Sequence, residues 1–272
     1  MRKFILAVFS LLILLCVSSS SYALDFIKFG TGHDEDFWAT PNSSGFDRFP
    51  STVQYLQTRG KNEITSIPLT DNNVQDVFNR LFGGFDAIVV SERIEKLSPE
   101  SYALFNQYVS DGGCLILTGS HGDEPDFLNN AFGFSVSSTD AVDGVDAYSI
   151  QPSATGTVFD GGPNSLIAAN HTLTFSNTPG SEIYSSPTGV AVFTGQFGNG
   201  VVTAIGWDYC CTPPNNEGQI LDWYEVVNRA FDQCAPKFKP VIPTLSEWGL
   251  ISMAGILGIF GVLAVRRRKV TA

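Results

Sequence analysis

The sequence predicts an α/β fold built on a doubly wound, mainly parallel sheet. Two short runs, residues 86–91 and Cys114–Thr118, are almost continuously apolar, which is typical of strands that helices cover on both faces. Between them, Ser98-Pro99-Glu100 has the pattern of a helix start, and Gly112-Gly113 ends that helix. A strand, a helix and a strand in this order form a right-handed crossover between parallel strands.

The other elements continue this alternation and predict one domain over residues 24–238. Each is a run of apolar residues at strand or helix spacing, bounded by a glycine or a capping residue. In chain order we expect a strand at 24–29, a helix at 50–58, a strand at 63–69, a helix capped by Asp71 or Asn72 and ended by Gly83, a hairpin of 189–193 and 201–205 whose Asn199-Gly200 supplies positive φ, and a final helix over 220–231. Residues 135–187 are rich in Ser, Thr, Gly and Asp, which indicates a β-rich excursion from the sheet.

The run from Phe85 to Gly122 carries a family resemblance. Its motifs are a strand, a helix start, and the end of that helix with the next strand: Phe85-Asp-Ala-Ile-Val-Val-Ser, Leu97-Ser-Pro, and Phe105-x-x-Tyr108-Val109-x-x-Gly112-Gly113-x-Leu115-Ile116-Leu117-x-Gly119. They resemble the class I glutamine amidotransferase-like superfamily, particularly its trehalose-utilisation-type and non-catalytic relatives. The resemblance implies a flavodoxin-like α/β sandwich over residues 25–133 together with the hairpin at 189–208.

The resemblance also indicates where a nucleophile would lie. Amidotransferases of this class place a cysteine in a Gly-x-Cys-x-Gly turn after a strand, where this chain has Thr118-Gly119-Ser120-His121-Gly122. The candidates that remain are Ser120 as a displaced nucleophile and His33 or His121 as its base. Because the cysteine and the first glycine of the turn are missing, we expect a binding domain rather than an enzyme.

Candidate metal ligands follow the same strand ends. Ligands of open α/β sheets bind beyond the carboxyl ends of the strands, and there this chain has His33, Asp34, Asp36, His121 and Asp123. Imidazole and carboxylate groups together could hold a divalent cation. The alternative is that these residues form polar loops and that Asp123 caps the next helix.

Negative charge is concentrated in the middle of the chain. No Lys or Arg occurs from Leu97 to Asn228, whereas fourteen Asp and Glu residues do. Six of the 16 Lys and Arg residues lie in the terminal segments, which leaves ten against 27 Asp and Glu residues, or about −17. This balance disfavours nucleic-acid binding and suits a solvated exported surface. A second interpretation is Ca²⁺ coordination by Asp140, Asp143 and Asp146, or by Asp123, Glu124 and Asp126.

The C-terminal segment has three parts in a recognisable order. Residues 239–249 form a linker and the motif Ile242-Pro243-Thr244-Leu245-Ser246-Glu247-Trp248-Gly249, residues 250–265 predict a transmembrane helix, and residues 266–272 form a basic cytoplasmic tail with Arg266, Arg267, Arg268 and Lys269. This order resembles the IPTL-CTERM sorting signal of Gram-negative bacteria. The resemblance implies that an exosortase-type membrane protease or transpeptidase recognises the motif. A plain single-span anchor is the alternative.

The N-terminal segment has the composition of a secretory signal peptide. Arg2 and Lys3 precede an apolar core over residues 4–17, and Ser21-x-Ala23 provides the small residues that signal peptidase recognises. We therefore expect cleavage after Ala23 and export. The C-terminal helix would then anchor the protein in the inner membrane, with transfer to the cell surface once the tail is processed.

Four cysteines lie outside the predicted signal peptide: Cys114, Cys210, Cys211 and Cys234. An oxidising envelope permits disulfides. We expect Cys210 or Cys211 to pair with Cys234, and Cys114, at the start of an apolar strand, to be a buried thiol.

These features together predict an exported, membrane-anchored envelope or surface protein whose ectodomain binds a ligand without transforming it. Two alternatives remain open at this stage. One is a metal-dependent or serine hydrolase acting on an extracellular carbohydrate or ester. The other is a structural matrix protein. No cofactor beyond a divalent cation is indicated, and no motif specifies the ligand.

Overall fold

The computed structural model describes residues 24–30, 52–68, 74–91, 97–119, 122–169, 172–207 and 217–234. All of these residues lie in one compact unit, Met1–Ala235. In 24–30, 52–54, 63–68, 91 and 217–219 the description covers the backbone only. Predictions that concern the remaining segments lie outside the described residues.

The described elements alternate between strands and helices in the first half of the chain, as predicted. Helices α1 to α5 span Thr52–Thr58, Val74–Leu81, Pro99–Ser110, Glu124–Phe132 and Glu217–Cys234. Strands β1 to β11 span Leu24–Gly30, Lys61–Pro68, Ala87–Ser91, Cys114–Thr118, Ser137–Asp140, Ala147–Ile150, Ser165–Ile167, Leu173–Ser176, Ser181–Ser186, Gly189–Phe197 and Gly200–Ile205.

Helix α3 begins where its sequence predicts. The Ser98 side chain accepts a hydrogen bond from the backbone N–H of Ser101 at 3.2 Å, and Pro99 occupies the first turn, where a missing N–H costs nothing. Asp111 ends the helix, and its N–H donates to the carbonyl of Gln107. Because Gly112 then takes a φ of +114°, the chain turns directly into β4.

The first half of the sheet has the predicted doubly wound arrangement. The order β2-β1-β3-β4-β11 is parallel throughout. One face, with Ala87 and Ile116, packs against α5, and the other, with Ile88 and Leu115, packs against α2, α3 and α4. Helices therefore cover both faces of the parallel strands, which explains why β4 is buried along its whole length.

The second half of the sheet is antiparallel, so the expectation of a mainly parallel sheet is wrong. The order continues β11-β10-β9-β6-β7, and β8 joins β5 to β10. The hairpin reverses the chain direction, and the free edge of β10 then hydrogen-bonds to the strands of the Ser- and Thr-rich region. The β-rich segment is thus an extension of the main sheet and not an excursion from it.

The hairpin between β10 and β11 confirms the predicted strands and corrects the turn. Phe197 pairs with Gly200, so Gly198 and Asn199 form a two-residue loop. Positive φ is found at Gly198, at +58°, and not at Asn199. Glycine at the first loop position is typical of a type II′ turn, whereas the prediction assigned the positive φ to Asn199-Gly200.

A disulfide links Cys114 to Cys234 across 120 residues, and this corrects the predicted pairing. Cys234 does form a disulfide, but its partner is neither Cys210 nor Cys211, which lie outside the described residues. The reason is geometric: α5 runs antiparallel to β4 on the sheet, so that its last residue reaches the first residue of that strand, with a Cα–Cα distance of 5.3 Å. The expectation that Cys114 is a free buried thiol is therefore also wrong.

Within the described part of the chain, no helix combines the length and the apolarity that crossing a bilayer requires. The predicted signal peptide (1–23) and the predicted transmembrane helix (250–265) lie outside that part.

Candidate functional site

The carboxyl edge of the parallel strands is the candidate site, and the structure describes only some of its predicted residues. The described residues are Thr118, Gly119, Gly122 and Asp123 after β4, Trp207 after β11, and the backbone of Ser91 at the end of β3. Outside the described residues lie His33, Asp34, Asp36, Ser120 and His121. Their proposed roles as nucleophile, base or metal ligand stay predictions.

Thr118 and Trp207 share one face of this edge. Thr118 pairs in register with Ile205, and Trp207 follows two residues later on the neighbouring strand. Side chains alternate along a strand, so Thr118 points to the same face as Ile116, which packs in the same cluster as Trp207. Both side chains are fully buried, with relative exposures of 0%.

Thr118 and Trp207 also share an unusual feature, a buried polar atom without a hydrogen-bond partner. In the part of the chain that the structure describes, Thr118 Oγ1 and Trp207 Nε1 are the buried side-chain polar atoms that have no hydrogen-bond partner. An unpaired buried polar group costs on the order of 1–3 kcal/mol, and native proteins contain few of them. Two such atoms lie on adjacent strands, at the edge where open α/β sheets bind ligands, which makes Thr118 and Trp207 candidate site residues.

Aromatic packing holds Trp207 in place. Its ring stacks on Trp223 of α5 at 5.7 Å with an interplanar angle of 7°, and Tyr224 meets it edge-on at 5.5 Å. Trp223 donates its own indole N–H to the carbonyl of Ile167 at 3.0 Å. The neighbouring Asp222 lies on the same helix, and desolvation raises the pKa of its carboxyl group. Of the two stacked indoles, Trp223 has a hydrogen-bond partner for its N–H, whereas Trp207 has none.

The turn after β4 is organised around Glu124, a buried carboxylate whose role the sequence did not predict. Glu124 has a relative exposure of 0%, and its Oε2 accepts a hydrogen bond from the N–H of Gly122 at 2.9 Å. Gly119 has a φ of +155°, and a Cβ there would overlap Glu124 Oε1. Pro125 in the first helical turn was the signal that a helix starts here, but nothing in the sequence showed that Glu124 folds back under the turn.

Thr118 shows how the turn after β4 differs from the Gly-x-Cys-x-Gly turn that holds the nucleophile in amidotransferases. It occupies the position of the first glycine in the Gly-x-Cys-x-Gly pattern, and its side chain is buried within the sheet. Glycine is therefore not needed at this position for close packing. The glycine that is needed is Gly119, and the group that approaches it is a carboxylate of the same turn.

The carboxylates proposed as Ca²⁺ ligands do not converge. No group of three or more His, Cys, Asp or Glu side chains that could hold a metal ion occurs among the described residues. Asp146 instead accepts a hydrogen bond from the N–H of Val142 at 2.7 Å, within its own turn. Asp123 stands at the N-cap of α4 as predicted, but its side chain makes no capping hydrogen bond.

The carboxylates of Asp123, Glu124 and Asp126 do not converge either, because Glu124 is buried while Asp123 and Asp126 face solvent. Ca²⁺ binding therefore stays a prediction.

Comparison with solved structures identifies the class of fold. A ThuA-like protein from Parabacteroides merdae superposes with a TM-score of 0.52 and 11% identity, over 81% of this chain and 93% of that one. A cytoplasmic protein from Salmonella typhimurium has a TM-score of 0.49 and 13% identity, over 77% of this chain and 98% of that one. The chain thus has a mixed α/β fold similar to that of a ThuA-like protein.

Comparison with family models identifies the C-terminal segment. Residues 242–268 match the IPTL-CTERM motif, which confirms the predicted sorting signal. No curated protein is similar enough in sequence to match the chain. The chain therefore carries a C-terminal sorting signal, and its α/β domain has a fold similar to that of a ThuA-like protein.

Proposed function

We propose that this chain is an exported surface protein whose α/β ectodomain binds an uncharged ligand at the carboxyl edge of its sheet without transforming it. The observation that carries the proposal is the IPTL-CTERM motif at residues 242–268, which is a surface-sorting signal. In this proposal, residues 1–23 direct export, residues 250–265 anchor the chain in the inner membrane, and an exosortase-type membrane enzyme processes the motif.

The Cys114–Cys234 disulfide supports export. Disulfides persist in oxidising compartments such as the bacterial periplasm and the cell surface, and they are rare in the reducing cytosol. Both sulfur-bearing residues are almost completely buried, with relative exposures of 6% and 7%, so the bond is part of the folded core.

The turn after β4 supports binding rather than catalysis. The sequence has no cysteine in the turn, and Thr118 replaces its first glycine. The turn is held by the Glu124 carboxylate against Gly119 and Gly122. A buried carboxylate that accepts a backbone hydrogen bond in this way serves to hold the turn in shape.

The chemistry of the two unpaired atoms narrows the ligand class. An indole N–H is only a donor, and a threonine hydroxyl can donate or accept, so the ligand must present acceptor oxygens. Residues 97–228 contain no Lys or Arg and fourteen carboxylates, so the charge of this part of the chain disfavours an anionic ligand. Hydroxyl-bearing neutral molecules, such as sugars, fit these constraints better than carboxylates or phosphates.

The intact mass of the protein recovered from its native envelope tests the sorting part. We expect the loss of residues 1–23 and of the segment beyond the 242–249 motif. A variant with Ala at Ile242, Pro243, Thr244 and Leu245 should keep its tail. Wild-type protein that retains the full tail in the envelope would refute processing.

Thermal stabilisation by matched pairs of sugars tests the binding part. The pairs are glucose with glucuronate and galactose with galacturonate, which differ in one carboxylate. We expect at least one neutral sugar to raise the melting temperature more than its uronate does, and Thr118→Val to abolish the difference. The proposed ligand class is refuted if no neutral sugar has an effect, or if the uronates stabilise more strongly.

A further inference from the structure

The disulfide joins the end of α5 to the start of β4, and these two positions have different mechanical roles. Cys234 is the last residue of α5, and the chain continues from it toward the sorting motif. Cys114 is the first residue of β4, which hydrogen-bonds to β3 on one side and to β11 on the other. The bond therefore connects the point where the C-terminal segment leaves the domain to a central strand of the parallel sheet.

Without the disulfide, helix α5 would carry any tension that is applied through the C-terminal segment. Apart from the disulfide, it is held to the sheet by side-chain packing, with Trp223, Val227 and Phe231 fully buried, and by Lys61 of β2, whose Nζ donates hydrogen bonds to Asn228 and Asp232. Near its end, Gln233 accepts hydrogen bonds from Thr194 and Thr203. Such contacts along a helix are local, so tension on the last residue would break them one turn at a time.

The covalent loop closed by the disulfide encloses most of the domain. Residues 115–233 lie between the two cysteines and include α5 and the candidate site residues Thr118, Glu124 and Trp207. Tension applied beyond Cys234 passes through the two sulfur atoms to the backbone of Cys114. The chain inside the loop is not part of that path.

We propose that the Cys114–Cys234 disulfide is a load-transfer clamp, which carries tension from the C-terminal attachment directly into β4 and keeps α5 and the candidate site unloaded. The proposal rests on the proposed function in one respect, because it assumes that the protein is held through its C-terminal segment. A protein held in this way is pulled through that segment whenever the surrounding flow moves the ectodomain. Without the clamp, the first element to detach would be the helix that packs Trp223 against Trp207.

Single-molecule pulling of the full chain in detergent micelles, with handles at both termini, tests the clamp. We compare the oxidised wild type with the Cys114→Ala/Cys234→Ala double variant. Unravelling of the 18-residue α5, from about 27 Å of helix to about 63 Å of extended chain, would lengthen the tether by about 36 Å. We expect this step at low force in the double variant and not in the oxidised wild type. Steps from the terminal segments should be the same in both.

Phe231→Ala provides a matched test of the load path. It weakens the packing of α5 but leaves the disulfide in place. In the oxidised chain it should not produce the α5 step or lower the force of the first rupture, because the helix carries no load. Combined with the double cysteine variant, it should lower the force at which α5 detaches. A Cys210→Ser/Cys211→Ser variant, which keeps the Cys114–Cys234 bond, should behave as the wild type.

The oxidised chain decides the question even if the double variant fails to fold. A lower force of the first rupture on adding Phe231→Ala to the oxidised chain would show that α5 carries load and would overturn the clamp. Failure of the proposed function is seen separately: a protein with an intact tail and no surface location would remove the physiological load, while the pulling records would still show whether the clamp exists.

Discussion

Substitution of Gly119 by alanine should destabilise the protein through one identifiable neighbour, the Glu124 carboxylate. Gly119 has a φ of +155°, which L-residues rarely adopt, and a Cβ there would overlap Glu124 Oε1. Glu124 is fully buried and accepts a hydrogen bond from Gly122 N–H, so it cannot move aside without loss. The cost of Gly119→Ala therefore has a backbone part and a side-chain part.

The two parts can be estimated separately. The unfavourable φ accounts for about 1–2 kcal/mol. Displacement of the Glu124 carboxylate from its backbone donor adds about 1.5–3 kcal/mol, the range for hydrogen bonds to charged groups. Gly119→Ala should thus lower the free energy of unfolding by about 2.5–5 kcal/mol, whereas the same change in a Glu124→Ala background should cost only the backbone part, about 1–2 kcal/mol.

Urea unfolding of the four proteins in this double-mutant cycle measures the coupling directly. Gly133→Ala is the matched control, because Gly133 also has positive φ, at +69°, but a Cβ there would meet nothing within 4 Å. It should cost the backbone part alone, whether or not Glu124 is present. An equal cost of Gly119→Ala with and without Glu124 would show that the carboxylate does not pack against the turn. Glu124 would then not be the residue that holds the turn in shape.

Two further predictions concern buried polar groups. Thr118→Val should leave stability unchanged or raise it by about 1 kcal/mol, because the removed hydroxyl has no partner. The matched Thr174→Val should destabilise by about 1–2 kcal/mol in urea unfolding, because its hydroxyl bonds Tyr148 Oη at 2.7 Å; a larger loss for Thr118→Val would contradict the unpaired state. Desolvation raises the pKa of Tyr108 to about 12. The unfolded chain therefore ionises first as pH rises, so the contribution of Tyr108 to stability should be full below pH 10 and fall by about 2.3 kcal/mol by pH 12. The pKa values of Tyr55, Tyr148 and Tyr184 are also raised, so Tyr108→Phe should reduce the fall in urea-derived stability over that window without abolishing it, and an unchanged slope would contradict the assignment.

The parallel half of the fold could be predicted because its signals are local. The apolar run of β4 is bounded by Gly113 and Gly119. The signal for the start of α3, Ser98-Pro99, lies directly at the first turn of that helix. Such patterns depend on the neighbours of each residue in sequence, and the structure confirms them to within one or two residues. The strand-helix-strand order then leaves few possible topologies.

The features that could not be predicted all depend on contacts between distant residues. The pairing of Cys114 with Cys234 requires knowing that α5 runs antiparallel to β4, which no spacing reveals across 120 residues. The composition of residues 135–187 correctly indicated strands, but not that they would pair with the edge of β10. The unpaired states of Thr118 and Trp207 appear only when the whole neighbourhood of each atom is known.

Strand β4 connects the two functional proposals, because the attachment and the candidate site lie at its opposite ends. Cys114 at its amino end forms the disulfide with Cys234 of α5, and Thr118 at its carboxyl end begins the turn held by Glu124. Cys114 and Thr118 are four residues apart, or about 13 Å along the extended strand, and every residue between them is buried. A load that enters at Cys114 is therefore resisted by the pairing of β4 with β3 and β11 before it can reach the binding edge. This geometry allows a surface protein to be held at one edge of its sheet while the other edge stays undisturbed for a ligand.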